Sequence, residues 1–77
     1  MMKRFMIHRH PNCITATHIQ NRGATRVFGP MLRFPSVNDL VAHFAALGVP
    51  ACALNAAQVR VDLTGRATLV FFESQPN

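Results

Sequence analysis

The chain has 77 residues, room for one domain over residues 1–77 and not for a second core. Hydrophobic residues make up 49% of it, which excludes a disordered polyelectrolyte, while charged residues make up only 14%. The formal net charge is +5, and it is unevenly placed. Lys3, Arg4, Arg9, Arg22, Arg26 and Arg33 lie in an N-terminal segment without an acid, whereas Arg60 and Arg66 are outweighed by Asp39, Asp62 and Glu73. No apolar run approaches the ~20 residues of a membrane span, and none follows the basic start as a signal peptide requires.

Lys3 to Arg9 alternates as a strand, with Phe5 and Ile7 on one side and Met6 and His8 on the other. His10-Pro11-Asn12 is a turn. Cys13 to Gln20 is rich in Ile and Thr, which favours a second strand. Asn21-Arg22-Gly23 is a turn signal, and Ala24 to Phe28 is a third strand. Gly29-Pro30 is expected to break that strand before Met31 to Phe34.

A helix is predicted from Val37 to Leu47. Ser36 can cap its first free N–H groups, and Asp39 suits the positive end. Val37, Leu40, Val41, Phe44 and Leu47 fall on one stripe. Gly48 and Pro50 then stop the helix. Val49 to Ala57 reads as a loop or a short helical turn.

Gln58 to Leu63 alternates, with Val59, Val61 and Leu63 opposed to Arg60 and Asp62, which predicts a strand. Asp62-Leu63-Thr64-Gly65 suits a type I turn with a glycine bulge, and Ala67 to Phe72 then returns as the second strand of a hairpin. That second strand is apolar on both faces, which suggests a central position in the sheet. Ser74 to Asn77 is expected to fray.

The expected fold is therefore α+β, a two-layer sandwich with a mostly antiparallel sheet in the order β-β-β-α-β-β and one amphipathic helix on one face. The other sheet face is left open, with Met6, Phe28, Val70 and Phe72 to line it. Phe5, Phe34, Phe44 and Phe71 suit the core.

His8-x-His10-x-x-Cys13, with His18 beyond it, contains zinc-ligand residue types but matches no finger or knuckle spacing, so no metal is expected. Cys13 and Cys52 make no disulfide framework and read as buried free thiols in a reducing cytosol. Catalysis is not expected. Asp39 and Asp62 are used by helix start and turn, and there is no nucleophile elbow, phosphate loop or dinucleotide fingerprint, hence no cofactor.

Binding remains. Seven of the eight basic residues are arginine, which pairs with carboxylates and stacks on aromatics at protein interfaces. Phe34-x-Ser36-x-x-x-Leu40-x-x-x-Phe44-x-x-Leu47 is similar to helix starts in many small α/β proteins, anti-CRISPR proteins among them. The sequence is thus read as a small cytoplasmic, non-enzymatic adaptor or inhibitor of the kind phages and mobile elements encode. It docks on an acidic protein or nucleoprotein through Arg4, Arg9, Arg22, Arg26 and Arg33. The alternative is a nucleic-acid-binding module whose same arginines contact phosphates. Scarce charge and an open sheet face also suggest a homodimer.

Overall fold

Three strands come first in the chain, then two helices and a last strand. The computed structural model describes residues 2–72. The strands are β1 (Met2–Arg9), β2 (Ile14–Arg22), β3 (Thr25–Phe34) and β4 (Arg66–Phe72). The helices are α1 (Val37–Ala46) and α2 (Ala51–Thr64). The strands form one antiparallel sheet in the order β3-β2-β1-β4, so β3 and β4 are its edges. Both helices pack on the same face, giving the two-layer α+β architecture expected of the sequence. The expected fraying of Ser74 to Asn77 lies outside the described residues.

Local chemistry explains most of the boundaries. The β1–β2 connection closes through the His10 N–H donating to the Cys13 carbonyl at 2.8 Å. The β2–β3 hairpin turns at Gly23, whose φ of 62° is open to glycine at little cost. Before α1, the Ser36 hydroxyl oxygen accepts from the Asp39 N–H at 3.3 Å and donates to Asp39 Oδ2 at 2.8 Å. This closes the cap that the Ser36-x-x-Asp39 spacing announces.

Phe44 is the centre of the core. It is fully buried, with the Phe5 ring at 5.0 Å and the Phe71 ring at 6.0 Å, both nearly edge-on to it. Phe5 and Phe71 stack on each other across the β1–β4 pair at 6.0 Å. Ile7, Ile14, Leu40, Leu54, Val61 and Leu69 complete the layer, and Phe34 is half-buried against it.

The structure corrects the expected order in its C-terminal half. Gln58 to Leu63 is not a strand but the second half of α2, so the described residues hold two helices and no C-terminal hairpin. The Asp62–Gly65 segment is correspondingly a helix end rather than a bulged turn. Gly65 takes the left-handed cap with φ 77°, its N–H donates to the Val61 carbonyl at 2.8 Å, and the Thr64 hydroxyl lies 2.9 Å from the Arg60 carbonyl. The buried residues of α2 are Leu54, Ala57 and Val61, a helical spacing, whereas Val59 is 56% and Leu63 79% exposed. The alternation at 59–63 is thus no guide to burial. The preceding run of alanines, strong helix formers, carries the helix from Pro50 through it.

Two further readings change. β4 is an edge strand, not a central one; Val70 and Phe72 are apolar because they lie on the uncovered face, not because a second layer buries them. Gly29-Pro30 does not end the third strand. Proline lacks an N–H to give a ladder, but on an outer strand that loss is tolerated, and β3 continues through it as a bulge.

These packing differences are measurable. By urea unfolding, Phe44→Ala should cost about 3–5 kcal/mol, enough to unfold much of so small a domain. Val59→Ala should shift stability by no more than about 0.5 kcal/mol, because its side chain stands in water on α2.

Candidate binding face

Strand alternation divides the sheet's side chains between two faces. From β1, Phe5 and Ile7 point to the helices, and Arg4, Met6 and His8 point away. β4 follows the same rule, with Ala67, Leu69 and Phe71 buried and Arg66, Thr68, Val70 and Phe72 on the open side. The register then aligns the open-face residues in rows across all four strands. One row is Arg66, His8, Thr15 and Arg33. The next is Thr68, Met6, Thr17 and Met31, and the third is Val70, Arg4, Ile19 and Phe28.

The bulge in β3 makes the third row possible. Thr17 pairs with Met31 but Ile19 pairs with Phe28, so Gly29 and Pro30 together oppose His18. Residues 28 and 31 would otherwise face opposite ways. The extra residue resets the alternation and brings Phe28 and Arg26 to the same face as Met31 and Arg33. Gly29 suits the spot because a Cβ there would lie 3.2 Å from the His18 Cβ.

The resulting face mixes apolar and cationic side chains, with Met6, Ile19 and Arg4 on the central strands and Phe28, Met31, Val70 and Phe72 on the outer ones. Phe28 is 60% exposed, Phe72 74%, Met31 56% and Met6 37%. Met6, Phe28, Val70 and Phe72 are thus all found where the sequence put them. Ile19 is buried yet stands apart from the main core, held among its neighbours on the open side. Arg33, Arg66 and Arg26 lie toward the borders of this patch and Arg4 within it. Among the described residues it carries no carboxylate: Asp39 belongs to α1 and Asp62 to α2, both in the other layer.

Of the five arginines singled out from sequence, Arg4, Arg26 and Arg33 meet on this face. Arg9 ends β1 with the opposite parity, and Arg22 pairs with Thr25 beside the hairpin turn. Arg66 was missed. Its signal was available, since extending the Thr68-x-Val70-x-Phe72 alternation back by one step reaches it.

The histidine cluster divides. The rings of His8 and His10 meet edge-to-face at 4.5 Å, and Cys13 lines a hollow beside His10. His18 instead stacks on Phe5 at 5.0 Å, on the helix side of the sheet. Among the described residues no three His, Cys, Asp or Glu side chains gather as a metal site. Cys13 and Cys52 are unbonded, and neither is buried as expected: Cys13 is half-buried at the turn, and Cys52 is exposed in the first turn of α2, outside the Leu54–Ala57–Val61 stripe. No described helix is long and apolar enough to cross a membrane.

Arg26 and Arg33 are exposed on an outer strand, and the fold does not depend on them. Arg26→Ala and Arg33→Ala should therefore each leave the urea midpoint nearly unchanged, within about 0.5 kcal/mol of stability. No known protein family, curated protein or solved structure matches this chain.

Proposed function

We propose that this protein is a non-enzymatic adaptor or inhibitor whose open sheet face docks on the acidic surface of a protein partner. The observation that carries the reading is the composition of that face, a patch of Met6, Ile19, Met31, Val70 and Phe28 that encloses Arg4 and is bordered by Arg26, Arg33 and Arg66, with no described acid among them. Affinity at protein interfaces concentrates in a desolvated apolar centre, while charges at the rim steer encounter and reject wrong partners. Methionine adapts its shape to a partner, and arginine pairs with carboxylates through a planar fork.

A second copy is a poor occupant for this face, since stacking two such faces would press arginine against arginine. A homodimer is better made along an outer strand, β3 or β4, whose free edge can pair with its equal. Sedimentation equilibrium should then give the same mass for wild type and Met6→Glu, because that change leaves both edges intact. The two unbonded thiols suit a reducing compartment.

Nucleic acid is the second reading, favoured by the exposed rings of Phe28 and Phe72, which offer faces for base stacking. It is the weaker one because these rings stand on the two outer strands, while the central strands present Arg4, Met6, Thr17 and Ile19 between them. Consecutive bases would find no continuous aromatic platform.

Capture from the native host, with and without nuclease, separates the readings. A stoichiometric, nuclease-resistant acidic protein is expected. Met6→Glu should weaken its binding by a factor of about 30 or more, the size of a hot-spot loss. Arg26→Glu with Arg33→Glu should mainly slow association. A partner that disappears with nuclease, and whose affinity falls about 0.7–0.9 log units per log unit of salt for each phosphate contacted, would replace the protein reading with the nucleic-acid one.

A further inference from the structure

One end of the open face differs from the rest. The row Arg66, His8, Thr15 and Arg33 is polar throughout, and beyond it the β1–β2 turn bounds a hollow of about 320 Å³ whose polar lining is His10, Asn12, Cys13, Thr15 and Arg33, with Pro11 and Met31 as its apolar wall. That volume lies at the small end of ligand sites, about 300–1,000 Å³. We propose that this hollow binds a phosphate monoester carried by the protein partner. The proposal rests on reading the open face as a docking surface, and it names a chemical group on what docks there.

The hollow is organised around Thr15, a polar residue buried on the open side of the sheet. Its hydroxyl lies 3.1 Å from His10 Nε2 and 3.4 Å from the His8 carbonyl. The hydroxyl can donate to either. When it donates to His10 Nε2, the imidazole carries its proton on Nδ1, as a donor for an incoming oxyanion. The His8 ring, 4.5 Å from that of His10, packs against it and limits its rotation. A network of this kind holds a ring in place before a ligand arrives.

Charge selects the ligand. Arg33 lines the hollow and Arg66 lies at the far end of the same row, three strand spacings or about 14 Å away between backbones. Arg33 is the cation in the hollow itself, and Arg66 adds to the positive field along the row without lining it. With one permanent cation in the hollow, a second on the same row and no carboxylate on this face among the described residues, a phosphate monoester of charge about −1.5 to −2 is favoured over a single carboxylate. Arginine also meets phosphate oxygens two at a time.

The test uses a labelled acidic peptide containing one phosphoserine and its twin with unmodified serine, followed by fluorescence anisotropy at low salt. The phosphopeptide should bind at least about tenfold more tightly than its twin, the range of one to two charge-assisted hydrogen bonds. Arg33→Ala should remove that advantage, and Arg33→Lys should restore only part of it, because lysine lacks the fork. Unchanged amide spectra of the variants verify that the fold is intact. Equal binding of the twins, or an advantage that survives Arg33→Ala, would overturn the proposal. Displacement of the phosphopeptide by unphosphorylated oligothymidylate at comparable affinity would also overturn it, in favour of phosphodiesters. If the twins bind equally while Met6→Glu still abolishes capture of the partner, the hollow fails and the docking face stands.

Discussion

Two short helices can cover one face of a four-stranded sheet and no more. At about 1.5 Å per residue, α1 and α2 are roughly 15 and 21 Å long, and side by side at 8–10 Å they match the width of the sheet. Every residue of the main core therefore lies between sheet and helices, arranged about Phe44. Among the described residues no element covers the opposite face. In an antiparallel sheet of this kind the second face is ordinarily polar along each strand. Here β2 keeps to that habit at Thr15 and Thr17 but departs from it at Ile19, while β1, β3 and β4 contribute Met6, Phe28, Met31 and Val70.

Such a face carries a hazard that its charge reduces. Exposed Phe and Met on an open sheet invite stacking of one molecule on the next. The same face holds Arg4, Arg26, Arg33 and Arg66, while the described acids lie in the helix layer. Face-to-face stacking thus opposes like charges, whereas a partner with acidic groups gains both the apolar contact and the ion pairs. Three of the six N-terminal cations, Arg4, Arg26 and Arg33, come together on one side of the sheet. Arg66, distant in sequence, joins them because β4 returns antiparallel beside β1 and sets Arg66 opposite His8.

The parts of the fold legible in the sequence were those where one local signal stood without a competitor. Phe5 and Ile7 against Met6 and His8 fixed the orientation of β1, and Ser36 with Asp39 located the start of α1. The open-face residues Met6, Phe28, Val70 and Phe72 followed from having one helical layer to distribute. The second half of α2 was not legible, because Val59, Val61 and Leu63 satisfy a two-residue period over so short a span. The competing evidence was a stretch of alanines, which favour helix by propensity but mark no strong apolar stripe. Burial decides between them: Val61 packs on the sheet with Leu54 and Ala57, and the residues on either side of it in the apparent strand do not. Losing one strand to a helix also moved β4 to the edge, which is why its apolar outer side reads differently from a central strand.

The least legible feature has the largest effect on the binding face. Glycine followed by proline ordinarily interrupts a strand, and nothing in composition says that the chain resumes its pairing afterward. Two circumstances allow it here. β3 is an outer strand, so the missing proline N–H costs little, and Gly29 has no side chain to collide with His18. The single extra residue then inverts the facing of everything before it in β3. Without it, Met31 and Arg33 would share the open side with Val27 and Gly29, and Phe28 and Arg26 would turn toward the helices. With it, the Phe28 ring stands beside Ile19, and an additional cation lies at the border. The bulge thus determines the composition of the face, and the rest of the sheet supplies the platform on which that composition is displayed.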